Sequence, residues 1–386
     1  MKRFSMGFIG SGFAADLHVH AYRRVPGFEV DLHAVYSRSL DNAKRFAATH
    51  GIARVHETLD EFLADPEIDI VDIVTPPATH MELIKKTMGS GKHVIVEKPL
   101  NGYFGSADTP GKEMYEQVCR ELDDLEAFLE GRKERLFYAE NYIYAPSVQK
   151  IAEMIEATGE KILLLKGDES HNGSHAPHAA FWSQSGGGSL IRQGCHPLSA
   201  VLYLKEKEAK RRNETVRVAS VLCDASHVTR RLPPEERGAI LAGPVDVEDW
   251  AETIITFTDG TKAVVSSGDM IVGGVRNVVE AYTPNACYKA NIAPNDALIV
   301  HHVDPSSIKE VYITEKLSTK AGWQYVFVSE EEMRGYVGEM EDFLTCLVTG
   351  KEPQSSVSLA FAAMRVLYAS YASAFSDRRF VLEQAE

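Results

Sequence analysis

Apolar runs and helix-like stretches alternate through the first third of the chain. Phe4–Ile9, Val30–Tyr36, Ile68–Val74, Val94–Val96 and Arg135–Ala139 read as strands, and Asp16–Arg24 and Leu40–Thr49 as helices. This alternation predicts a doubly wound parallel sheet. The character changes near Glu140–Lys150. Longer strand-like runs follow at Lys161–Glu169, Val216–Cys223, Glu252–Phe257, Lys262–Ser267, Val275–Tyr282 and Lys309–Ile313, with Thr258-Asp259-Gly260-Thr261 as a hairpin turn. These predict an antiparallel sheet with one face covered by the first domain. Helices at Glu330–Val348 and Leu359–Ala374 are expected to pack back on that domain. The fold class is therefore α/β followed by α+β, with domains at 1–145 and 146–386.

The chain has 386 residues, which suits two domains, and a hydrophobic fraction of 44% supports ordinary cores. A net charge of −14 with no basic stripe argues against a nucleic-acid partner. The basic run Lys205–Arg212 is broken by glutamates and reads as a solvated helix end. Met1-Lys2-Arg3 runs straight into the first strand, so no signal peptide is expected. No apolar stretch reads as long enough to cross a bilayer, so no membrane partner is expected. Five cysteines without paired spacing do not suggest a disulfide framework. The expectation is a soluble cytoplasmic protein with reduced thiols.

The first strand runs into Gly10-Ser11-Gly12-Phe13-Ala14-Ala15, a G-x-G-x-x-A pattern. Gly10 allows a tight turn, Gly12 lets backbone approach a pyrophosphate, and Ala15 lets the helix pack close to the strand. The helix N-terminus then offers N–H groups to phosphates, with Phe13 and Ala14 beside them. Such a fingerprint marks a dinucleotide-binding, Rossmann-type sheet. The second strand ends Tyr36-Ser37-Arg38, without the acidic residue that would bind a ribose hydroxyl. Ser37 and Arg38 could hold a 2′-phosphate, or Arg38 could stack on adenine. NAD is favoured narrowly, with NADP open.

Farther on, Lys92–Val96 ends at Glu97-Lys98-Pro99-Leu100. A lysine at the carboxyl end of a parallel strand sits where open α/β sheets bind ligands. With Val71–Pro77 and His80, Gly186-Gly187-Gly188 followed by Gly194-Cys195-His196, and the ending Phe380-Val381-Leu382, the chain resembles the glucose–fructose oxidoreductase / inositol dehydrogenase / MocA (Gfo/Idh/MocA) family over nearly its whole length. The resemblance implies an NAD(P)-dependent oxidoreductase acting on a sugar, glycoside or polyol. It also implies an oligomer, a dimer or tetramer, assembled through the open face of the second sheet. Thr75, Pro76 and His80 would flank the nicotinamide site.

In the family the motif lysine is catalytic. Lys98 would polarise the substrate oxygen, Glu97 would orient it or contact the nicotinamide side, and His196 would move the proton. Many relatives carry an aspartate one helical turn before the histidine, where this chain has Arg192. On the same helix face as His196, Arg192 would suit an anionic substrate group or pair with Glu140 or Glu169. Glu169, His171, His175 and His178 form a further cluster. His171, His175 and His196 could ligate Zn²⁺, or His175 and His178 could contact sugar hydroxyls. Glu140 and Tyr142 lie at a strand end facing the cleft, and Trp182 is a candidate stacking platform for a sugar or a core residue. The turn-rich segment 102–111 reads as a lid or as an ordinary insertion. Two other functions stay open: a redox-assisted glycosidase that recycles tightly held NAD, and a non-catalytic cofactor-binding regulator.

Overall fold

A computed structural model describes residues 2–174, 176–293, 296–314, 316–317 and 319–382. Six parallel strands form the first sheet: β1 (Lys2–Ile9), β2 (Phe28–Tyr36), β3 (Arg54–His56), β4 (Ile70–Ile73), β5 (His93–Glu97) and β6 (Leu136–Ala139). Their order is β3-β2-β1-β4-β5-β6, so the winding reverses between β1 and β4. That switch point opens a crevice at the carboxyl ends of the strands. Helices α1 (Phe13–Tyr22), α2 (Leu40–His50), α3 (Leu59–Ala64) and α4 (His80–Gly89) cover the sheet. Local chemistry sets their ends: Thr58 and Glu61 form a reciprocal capping box on α3, and Gly51 ends α2 with φ +69°. Helix α5 (Gly111–Leu129) went unassigned from sequence, although Met114, Val118, Leu122 and Leu125 make a clear buried stripe at helical spacing.

The second sheet contains β7 (Leu164–Ser170), β8 (Val218–Ser226), β9 (Trp250–Phe257), β10 (Lys262–Gly268), β11 (Arg276–Tyr282) and β12 (Cys287–Asn291), with β15 (Phe380–Val381) at one edge. It is mixed, because β7 runs parallel to β10 and antiparallel to β11. The predicted turn at Thr258–Thr261 joins β9 to β10. The remaining helices are α6 (Pro146–Thr158), α7 (Trp182–Ser185), α8 (Ser189–Arg192), α9 (Cys195–Arg212), α10 (Glu330–Met333), α11 (Tyr336–Thr349) and α12 (Val357–Ser376). Helix α9 lies so close on the sheet that a Cβ on Gly167 would come 2.6 Å from Pro197 Cβ. Helix α11 packs on α1, and α12 packs on α5 and on β8 of the second sheet.

Several expectations change. Lys309–Ile313 is not a strand; a separate hairpin of β13 (Ile299–His302) and β14 (Gly322–Tyr325) occupies this region, with Trp323 72% exposed. The helix expected over Glu330–Val348 is broken at Gly335, where φ is +93° and a Cβ would lie 2.2 Å from the Asn141 carbonyl. Helix α12, at 20 residues with an 18-residue stretch of mean hydropathy 1.2, is long and apolar enough to cross a bilayer, but 72% of that stretch is buried in the fold. It is a core helix. The basic run is not wholly solvated either, since Lys205 is buried and paired with Glu208 and Asp259.

Candidate active site

Gly10 adopts φ +112°, and a Cβ there would lie 2.6 Å from the Val74 carbonyl, so β1 and the chain after β4 close around it. Gly12 is different: a Cβ would meet nothing within 4 Å. Its open side faces the crevice at the N-terminus of α1, which is the cradle a pyrophosphate needs. Phe13, 60% exposed, and half-buried Ala14 line the same mouth. Ser37 and exposed Arg38 follow β2 at the adjoining edge, and Pro76 leads into the 3₁₀ turn Pro77–Thr79. Thr75 Oγ1 lies 2.7 Å from Thr79 Oγ1. His80 is fully buried, with its ring nitrogens 2.9 Å from the Thr75 and Pro99 carbonyls. Burial pushes its imidazole down, against the pull of those carbonyls. His80 therefore braces the two crevice loops rather than presenting an atom to a cofactor.

Glu97 and Lys98 leave β5 at the crevice, and Lys98-Pro99 is a cis peptide. Lys98 Nζ donates to the Arg192 carbonyl at 2.8 Å, which bridges the two domains. Burial lowers the ammonium's pKa, but the field of Cys195, Glu97, Glu169 and Glu140 more than offsets it. Burial raises the Glu97 carboxyl, yet His18, Lys98 and His196 hold it below its ordinary value. His196 Nδ1 lies 2.7 Å from Glu140 Oε1, and the ring stacks on Tyr142 at 4.2 Å between centroids. Glu169 is buried among His196, Lys98, Arg334 and Tyr142; desolvation outweighs these groups and raises its carboxyl.

Arg192 and His196 do not share one helix. Helix α8 ends at Arg192, and α9 begins only after Gln193-Gly194. The Arg192 guanidinium pairs with Asp269, not with Glu140 or Glu169, and Gln193 donates to the same carboxylate. The carboxylate that pairs with His196 is Glu140, 56 residues earlier in the chain. His171 Nδ1 accepts the Gly173 N–H at 2.9 Å. Burial, with Lys316, Arg192, Arg334 and Lys98 nearby, pushes its imidazole down to about 3. Half-buried His178 is lowered by burial and by Arg192. His175 lies outside the described residues.

The expected histidine set includes His175, outside the described residues; among those residues, the metal-type ligands brought together here are Glu140, Cys195 and His196. The Lys98 ammonium beside them, and burial that raises the Cys195 thiol, oppose a bound cation. Trp182 is a core residue: it is 2% exposed, packs edge-on to Tyr371 and donates to the Tyr103 carbonyl at 3.0 Å. That bond, and Tyr103 N–H to Tyr368 Oη at 2.6 Å, tie the 102–111 segment to the second domain. It is an anchored insertion.

A further network escaped the sequence reading. Asp72 Oδ2 contacts His18 Nδ1 at 2.8 Å and the Tyr22 hydroxyl at 2.9 Å, and His18 Nε2 faces Glu97 Oε1 at 3.4 Å. The signal was present in Asp72, a carboxylate inside the apolar run Val71-Asp72-Ile73. Asp269, Arg334 and Glu339 gave no local signal.

Two family models match. Residues 4–120 match the oxidoreductase family with an NAD-binding Rossmann fold, and residues 148–286 match the GFO/IDH/MocA C-terminal domain. The chain belongs to the Gfo/Idh/MocA family. Among curated relatives of this Gfo/Idh/MocA protein, levoglucosan dehydrogenase of Pseudarthrobacter phenanthrenivorans is 26% identical over 355 residues, 85% of this chain and 80% of the relative. The uncharacterized protein YMR315W of Saccharomyces cerevisiae is 28% identical over 217 residues; the match spans 53% of this chain and 56% of that protein's length. Among solved structures, GenD2 from gentamicin A biosynthesis, in complex with NAD, superposes with a TM-score of 0.81 at 21% identity, covering 100% of this chain and 97% of that one. At that identity the likeness shows the fold. The chain carries the NAD-binding Rossmann fold of this oxidoreductase family.

Proposed function

We propose that this protein is a dehydrogenase that oxidises or forms a secondary hydroxyl on an uncharged sugar, glycoside or polyol, with NAD rather than NADP as cofactor. The observation that carries the reading is the convergence of Lys98 Nζ, anchored on the Arg192 carbonyl, with the His196–Glu140 pair at the crevice mouth. Bound nicotinamide would supply the hydride acceptor. Glu140 fixes the His196 ring through Nδ1, leaving Nε2 for the substrate hydroxyl proton. Lys98, held as an ammonium, donates to the same oxygen and lowers its pKa. The pairing of Arg192 with Asp269 argues for a neutral substrate, since its guanidinium is already matched by a carboxylate. The test is a screen of neutral sugars and polyols for NADH formation, compared with their acidic counterparts.

One observation favours a second reading. Glu169, with its raised carboxyl, gives the cleft a second proton-handling group beside His196. Such a pair suits a redox-assisted glycosidase, in which a transient oxidation acidifies a neighbouring C–H before elimination. Aglycone release without net NADH would select it. The five cysteines, all free thiols, support a cytoplasmic location. Exposed Ile254 on β9 supports self-association through the second sheet.

A further inference from the structure

Glu339 stands on α11, three residues after Tyr336 and three before Asp342. The Tyr336 ring is 6.0 Å from the His18 ring, and Asp342 accepts the Tyr144 hydroxyl at 2.7 Å. The helix face between them holds Glu339 between α1 and the turn after β6. The side chain is 0% exposed, and among the described residues neither carboxyl oxygen has a hydrogen-bond partner. Around it stand His18 and Tyr22 on α1, Asp72 on β4, Glu97 on β5, Tyr138 and Glu140 on and after β6, and Tyr144 in the turn. Asp72 and Glu97 have His18 as a partner, and Glu140 has His196. Glu339 faces the same carboxylates with no hydrogen bond of its own. A buried carboxyl in that position avoids charge by keeping its proton.

We propose that Glu339 is a neutral carboxylic acid in the cofactor-free protein and releases its proton when the positively charged, oxidised nicotinamide binds at the carboxyl ends of β4 and β5. The inference rests on the cofactor reading above. Burial first, and then repulsion from Glu97, Glu140 and Asp72, keeps Glu339 protonated; a positive charge added beside Glu97 works against both, whereas the uncharged reduced ring does not. By linkage, release of one proton makes oxidised cofactor bind about tenfold tighter per pH unit, while reduced cofactor binding stays flat. The protein would thus sense the redox state of its cofactor through a group that touches neither cofactor nor substrate.

The experiment is calorimetric titration of NAD⁺ and NADH into the full chain, in buffers of different ionisation enthalpy, for wild type, Glu339→Gln and Glu169→Gln. Wild type and Glu169→Gln are expected to release about one proton with NAD⁺ and none with NADH, and Glu339→Gln none with either. Equal proton release with both cofactors in wild type, or unchanged release in Glu339→Gln, overturns the proposal while leaving the cofactor reading intact. Failure of wild type to bind either cofactor overturns the cofactor reading and the proposal with it. Infrared difference spectra of wild type give a readout independent of any variant: a protonated-carboxyl C=O band should vanish on NAD⁺ binding and persist with NADH. Persistence in both complexes overturns the proposal.

Discussion

Replacing Glu248 with glutamine should change how stability depends on pH. Glu248 lies beneath the triple-glycine turn that carries Arg192 and His196. Its Oε1 accepts the Leu190 N–H and the Tyr371 hydroxyl, its Oε2 the Gly188 N–H, each at 2.9 Å. Despite these donors, burial pushes the carboxyl from 4.5 up to about 7. Between those values the folded protein holds a proton that the unfolded chain has lost. Stability contributed by this group is therefore complete below about pH 4.5 and falls as pH rises to about 7, at about 1.4 kcal/mol per pH unit and about 3 kcal/mol in total. Glu248→Gln removes that slope. It also turns an amide N–H toward the Gly188 N–H, a pH-independent cost of about 1–3 kcal/mol. The wild-type advantage should be greatest below about pH 4.5 and shrink by about 3 kcal/mol by about pH 8. Urea unfolding followed by tryptophan fluorescence reads this well, because Trp182 packs on Tyr371. Parallel stability profiles for the two proteins would refute the reasoning.

Three other outcomes are expected. Gly12→Ala should keep wild-type stability and weaken NAD binding, whereas Gly10→Ala, strained at φ +112° and pressed on Val74, should cost several kcal/mol, on the order of 2–4; thermal melts and cofactor titrations separate the two. Arg192→Ala leaves Asp269 buried without its guanidinium and should destabilise the protein by about 3–5 kcal/mol, while the backbone carbonyl that holds Lys98 survives; a loss confined to acidic substrates would instead restore the anion-binding role. Trp182→Ala should cost about 3–5 kcal/mol in stability rather than raise KM selectively, as expected for a core side chain.

The two-domain architecture was legible because it rests on local periodicity: apolar runs of strand length, glycine turns and helix stripes. The crevice was legible because Gly10, Gly12 and Lys98 sit at fixed places relative to strand ends. What could not be read depends on distant side chains meeting. Nothing local ties Arg192 to Asp269, or Glu140 to His196, 56 residues apart. The reading of Arg192 and His196 as one helix face failed at Gly194, where a Cβ would come 2.5 Å from the Leu190 carbonyl and the chain turns between α8 and α9. Trp182 was ambiguous for the same reason: an indole packed on Tyr371 and one open to a sugar look alike in sequence.

The central claim is that Lys98 and the His196–Glu140 pair carry oxidation of a neutral hydroxyl. The most direct measurement is single-turnover NADH formation with the neutral substrate found in the screen, for wild type and Lys98→Met, alongside NAD binding by each. The account predicts that Lys98→Met binds NAD and folds as wild type does, while hydride transfer falls about 10²–10⁴-fold. Unchanged hydride transfer in Lys98→Met would contradict it.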